Sequence, residues 1–221
     1  MNAIFGGAGH EFVTLAQKEV RNISAVASGF ESGRINQFTA PGLVFKIANW
    51  QSGYTGFPHD PQSLTVAGAV LLKHQQIELA AIVRGPFTTY PGTTYVVFAL
   101  NRGAGAQLGP VFPERPALTP DALVTVKVGP DGLNNSATIT DLTTGTSEPL
   151  SPTVIQVKGP VVRLLVPASQ LPSKGFSLAR YTFAAYTQLV QNGGYPQTGS
   201  FVPENSMIPN GVLASVAPPR I

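Results

Sequence analysis

Chemistry needs side chains that ligate, attack or move protons, and this chain of 221 residues spaces few of them usefully. Its three histidines, His10, His59 and His74, fall in separate segments with neither an H-x-H nor an H-E-x-x-H spacing. They therefore read as surface or loop residues rather than metal ligands. His59 and Asp60 are neighbours, but adjacent residues on an extended chain point to opposite faces, so adjacency alone makes no dyad. Serines are plentiful, yet no G-x-S-x-G elbow presents one as a nucleophile. The carboxylates number four Asp and seven Glu. Glycosidase chemistry needs two of them facing each other about 5 to 9.5 Å apart. Most lie in turn-rich segments, and Glu78 and Glu114 would meet only by an accident of folding. The Gly-rich stretch 103–110 (GAGAQLGP) has no following Lys-Ser/Thr and no expected helix, so it reads as a linker rather than a phosphate cradle. With no cysteine, neither a disulfide nor a thiolate metal site can form. These patterns assign no catalytic residue, no metal ligand and no cofactor, and the chain reads as a non-enzyme.

Aromatic residues are the more informative set. Trp50, Tyr54 and Phe57 cluster within one loop, Tyr90 precedes Pro91-Gly92, and Tyr195 precedes Pro196. Sugar rings stack on exposed Trp and Tyr, and the same groups anchor protein interfaces. These five are the candidate ligand-binding residues. The competing reading makes Trp50 a core cap and the tyrosines ordinary turn residues.

The elements that must hold such residues are short and mostly β. One amphipathic helix is expected over 11–20 (EFVTLAQKEV), with Phe12, Leu15, Ala16 and Glu19 on one face. Beyond it, apolar or alternating runs are separated by Gly, Pro, Asn and Asp clusters. Strands are expected at 23–30, 43–49, 64–72, 76–84, 95–101, 122–128, 136–142, 153–157, 161–166 and 179–188, with one more at 211–216. Residues 64–72 and 76–84 form the best hairpin. YVVFALN at 95–101 is apolar on both faces and should be a central strand covered on both sides. The connection 102–120 is unusually long for a compact domain, which marks it as functional or as lying between layers. Residues 167–171 should form one helical turn.

Long helices between strands are missing, so a parallel βαβ sheet is excluded. The expected fold is all-β, a two-layer antiparallel β-sandwich (jelly-roll-like) with a short N-terminal helix or arm. It divides as an arm over 1–21, a single sandwich domain over 22–217 and a tail over 218–221. The 23 Gly and 20 Pro then serve as turn chemistry.

Within residues 64–217 the order of segments resembles the CBM9-like or DOMON-like β-sandwiches of bacterial extracellular proteins. Val166-Pro167-Ala168 matches a strand that ends in VP and a small residue, and Phe201-Val202-Pro203-Glu204 stands where the D-F-A-P-D loop would be. The acidic residues that the family carries near its third strand are replaced here by Asn101-Arg102-Gly103, and the first 60 residues have no counterpart. What the resemblance implies is a sandwich fold and carbohydrate as a ligand.

Charge completes the reading. Lys, Arg, Asp and Glu make only 11% of the chain, with a formal net charge of +3, against about 25% in an ordinary soluble domain. No basic run exists to follow a phosphate backbone, which argues against nucleic acid as a partner. No apolar run approaches the ~20 residues of a membrane-spanning helix, and residues 1–12 show no signal peptide. A surface of Thr, Ser, Gln, Asn, Gly and Pro suits a protein that packs against copies of itself. The expected function is a structural subunit of a virion or surface filament, a homo-oligomer located outside the cell, with Phe5, Phe12 and Leu15 of the arm as assembly residues. The alternatives are a secreted carbohydrate-binding module and, third, a hydrolase.

Overall fold

The structure is a computed structural model, and it describes residues 37–40, 43–46, 64–72, 75–83, 85–89, 91–113, 115–190, 197–202, 211–212 and 214–215. Within these residues fourteen strands build two facing sheets. The first runs in the order β1 (Gln37–Ala40), β2 (Leu43–Lys46), β3 (Leu64–Leu72), β4 (Gln76–Val83), β10 (Val161–Pro167) and β9 (Ile155–Lys158). β14 (Ala214–Ser215) adds to β3. The second runs β12 (Gln197–Val202), β11 (Thr182–Val190), β5 (Thr93–Asn101), β6 (Ala122–Val128), β7 (Ser136–Asp141) and β8 (Thr146–Pro149), with β13 (Gly211–Val212) beside β11. This is the all-β, two-layer sandwich expected from the turn-punctuated sequence.

The pleat explains which residues meet. In β6, Ala122, Val124, Val126 and Val128 are buried while Lys127 on the opposite face is exposed, the period of two that a half-covered strand requires. Ile77, Leu79, Ala81 and Val83 of β4 and Val162, Leu164 and Val166 of β10 pack from the first sheet onto Val96, Phe98 and Leu100 of β5 and Phe183 and Ala185 of β11. Full burial of each Val, Leu, Ile or Phe is worth about 1.5–3 kcal/mol, so this inter-sheet layer holds the fold.

β5 is covered on both faces, as its unbroken apolar run predicts. Val96, Phe98 and Leu100 face the inter-sheet core, while Val97 and Ala99 join a second cluster with Leu118, Ala184 and Tyr186. The cover comes from the long 102–120 connection. Leu118 is buried there, and Phe112 meets the Tyr186 ring edge-on at 5.2 Å between centroids with an interplanar angle of 88°. Its length is thus used to lay apolar side chains over the outer face of the second sheet.

Several expectations need correction. Residues 37–40, 146–149 and 197–202 are strands that the sequence reading did not assign. They are short or polar edge segments with little apolar alternation. The single strand expected at 211–216 is two pieces. Gly211–Val212 pairs with β11 of one sheet, and Ala214–Ser215 pairs with β3 of the other. The β14–β3 pairing is parallel, the one departure from antiparallel order among the described pairs. A helical turn, Gly105–Leu108, interrupts the stretch expected to be a plain linker. The expected helix at 11–20, the strand at 23–30 and the domain limits 1–21 and 218–221 lie outside the described residues.

Candidate functional site

Among the described residues the densest polar cluster forms where β5 ends. Thr182 of β11 pairs with Asn101, and Ala122 of β6 pairs with Leu100, so Asn101 and Arg102 sit at the rim of the second sheet. The Arg102 side chain is 1% exposed and Asp121 is fully buried. Arg102 Nε donates to Asp121 Oδ1 at 2.7 Å. Its Nη2 donates to the Asp121 carbonyl at 3.1 Å and to Asp141 Oδ2 at 2.9 Å. The second Asp121 oxygen accepts the backbone N–H groups of Arg102 and Ala104 at 2.8 and 2.9 Å. Lys174 Nζ closes the cluster 3.2 Å from Asp141 Oδ2.

The surrounding backbone is bound into the same knot. Asn101 Oδ1 accepts from the N–H groups of Gly103 and Gly105 at 2.9 and 3.2 Å. The Arg102 carbonyl accepts from Lys174 N and Phe176 N at 3.1 and 2.8 Å. Gly103 has φ +127, and a Cβ there would lie 2.6 Å from Phe176 N. A Cβ at Gly105 would collide with the Thr119 carbonyl. The Gly-rich stretch is therefore required by close backbone approach. Its amides are taken by Asn101 and Asp121, so none of these is offered to a phosphate.

Electrostatics follow from this geometry. Partial burial pushes the Asp141 carboxyl up, but hydrogen bonds from Thr143 and Arg102, with the Arg102 charge, hold it well below the usual carboxylate range. Burial works against the Arg102 charge, yet its bonds to Asp121 and Asp141 raise its pKa above the ordinary value. Burial pushes the Tyr186 phenol up to about 12; burial, helped by the Asp121 charge and opposed by that of Arg102, raises that of Tyr181. A cleft of about 250 Å³ opens beside Arg102 and Asp141, with Glu148, Ser169 and Gln170 on its wall. Chemically the knot is an ion pair already matched by its own donors. It binds the 102–120 connection, the start of β6, the end of β7 and the 172–176 loop to one another.

A second ion pair lies on the first sheet. Arg163 Nε donates to Glu78 Oε1 at 2.6 Å, with side chains 5% and 0% exposed. Arg163 Nη1 donates to Gln156 Oε1 at 2.9 Å. Glu78, considered from sequence beside Glu114, thus faces a guanidinium from a strand 85 residues later. Sequence reasoning missed both ion pairs as buried structure. The only signal was an acidic residue interrupting the apolar run of β4 and a basic one interrupting β10.

Trp50, Tyr54, Phe57, Tyr90 and Tyr195, the assembly candidates Phe5, Phe12 and Leu15, the histidines and Glu114 are all outside the described residues. Among the described residues no group of three or more His, Cys, Asp or Glu is placed to hold a metal ion, and no helix is long and apolar enough to cross a membrane. Comparison with known proteins gives no match, whether to a family model, a curated protein or a solved structure.

Proposed function

We propose that the protein is a non-enzymatic structural subunit that self-assembles, as a virion component or surface filament outside the cell. One observation carries this reading. Of the chain's 25 charged residues, Glu78, Arg102, Asp121 and Arg163 are buried in internal ion pairs. These four are not offered to the outer surface, which leaves 21 charges to the rest of the chain. A lone soluble domain keeps a charged surface for solubility, whereas the centre of a protein interface is depleted in charge.

The edges bear on how copies would join. β8 (TSEP) is exposed at all four positions and carries Glu148 and Pro149. β9 is four residues long and ends in the exposed Lys158. Short strands with charge and Pro are guarded against strand-to-strand addition. Association in this proposal therefore uses the sheet faces and the terminal arms, with Phe5, Phe12 and Leu15 as apolar connectors.

Size-exclusion chromatography with light scattering tests it. The expected result is a particle heavier than the 23.2 kDa chain, growing with concentration, and a shift to monomer on deletion of residues 1–20. A monomer at every concentration would refute the proposal.

A further inference from the structure

The first sheet has a second buried face. In β4, Ile77, Leu79, Ala81 and Val83 turn to the inter-sheet core, and in β10 Val162, Leu164 and Val166 do the same. Strand alternation puts Glu78 and Ala80, Val161 and Arg163, and Gly68 and Val70 of β3 on the opposite, outer face. A strand face open to water is wet, as Lys127 of β6 is. Here Val70, Glu78 and Ala80 have no exposed surface, and Val161 and Arg163 keep only 3% and 4%. The face is therefore roofed. Neither apolar cluster described above is the roof, since neither includes Val70, Ala80 or Val161.

The shape and charge of this face narrow what covers it. Ala80 stands opposite Gly68 on one side and Arg163 on the other, and Glu78 stands opposite Val70. Gly and Ala at the centre make a shallow floor that admits larger side chains from above. Glu78 and Arg163 are bonded to each other at 2.6 Å, so the pair adds no net charge to the floor. An apolar stripe as long as three strands are wide, about 14 Å, fits such a floor. Segment 11–20 has that stripe in Phe12, Leu15 and Ala16, and ten residues of helix are about 15 Å long. Residues 21–36 join it to Gln37, where β1 opens on the same sheet. β4 lies three strand spacings from β1, about 14 Å, well within the reach of that connection.

We propose that the outer face of the first sheet is the seat of segment 11–20, with Phe12, Leu15 and Ala16 over Gly68 and Ala80, and that copies associate by exchanging this segment. The exchange rests on the self-assembly proposed above; the seat does not. Burial is complete within one chain. Handing the same segment to a neighbour keeps its contacts and links the copies.

The chain has no cysteine, so an introduced one is its only thiol. In Ala80→Cys the thiol should react slowly with a water-soluble maleimide. Adding Phe12→Asp and Leu15→Asp should speed labelling at least about tenfold, because buried unpaired charges drive the segment off its seat. Val70→Cys should behave alike. Ala81→Cys, on the core face of the same strand, should stay slow in both backgrounds. Labelling of Ala80→Cys unchanged by the two aspartates would overturn the seat and point to the 47–63 connection as the cover. Equal acceleration at Ala81→Cys would overturn it too, since the segment would then support the whole fold. The thiol reads the seat whether the segment comes from the same copy or a neighbour. A monomer with a protected Ala80→Cys thiol would therefore refute the exchange and uphold the seat.

Discussion

A guanidinium 1% exposed is tolerable only when every charge around it is answered. Arg102 meets this condition through two carboxylates and a carbonyl, from residues 19 and 39 positions along the chain. Removing one partner of a buried pair is far costlier than never having built it, because the other charge stays behind. Arg102→Met should therefore destabilise the fold by about 3–5 kcal/mol, read from denaturant unfolding. Asp141 adds a pH dependence with a definite sign. Its folded pKa is depressed, so its contribution is present above the unfolded value near 3.9 and is lost as pH falls through that value toward the folded one. Melting temperatures followed from neutral pH down through pH 4 should fall less steeply in Asp141→Asn than in the unsubstituted protein. None of this was legible in the sequence. Asn101-Arg102-Gly103 stood out there only as a replacement for acidic residues, since nothing local marks which of fourteen basic side chains will be interior.

Strands were legible where one or both faces are buried. β3 and β6 were predicted with the boundaries they have, and β4 to within one residue, because apolar residues recur at every second position and Gly, Pro or polar clusters stop them. β8 was missed because an edge strand forms from backbone pairing with little burial to leave a pattern, and TSEP is exposed throughout; β12 was missed because QTGSFV carries no apolar alternation. The 102–120 connection was marked as unusual by its length, but its role as the outer cover of β5 and β11 depends on Phe112 and Leu118 reaching Tyr186, which no spacing rule shows. Phe112→Ala should loosen that cover. The expected cost is about 1–3 kcal/mol, below that of a fully buried Phe because this one is half-buried. In the same variant the Tyr186 phenol should titrate below its raised value of about 12, seen by ultraviolet pH titration, because water reaches the ring.

At the scale of the whole molecule, the scarce charges are partly internal and the exposed ones are scattered. Association by such a surface should depend little on salt, since screening acts on exposed charge and leaves apolar burial intact or stronger. Light scattering across ionic strength checks this; dissociation as salt rises would mean that charge pairs hold the copies together. The fold class was legible from turn chemistry and strand lengths alone. The link between the sheets through Gly211–Val212 on β11 and Ala214–Ser215 on β3 was not, because rungs of two residues are too short to leave a pattern. That feature sets an order of events during synthesis. Residues 64 to 190 leave the ribosome with both sheets' main pairings available, but the rung that ties one sheet to the other emerges later. Folding can begin early, while the seam between the sheets is sewn only after those last strands arrive. A nascent chain arrested just before residue 211 should be cut by protease more readily at that seam than one arrested well beyond residue 215.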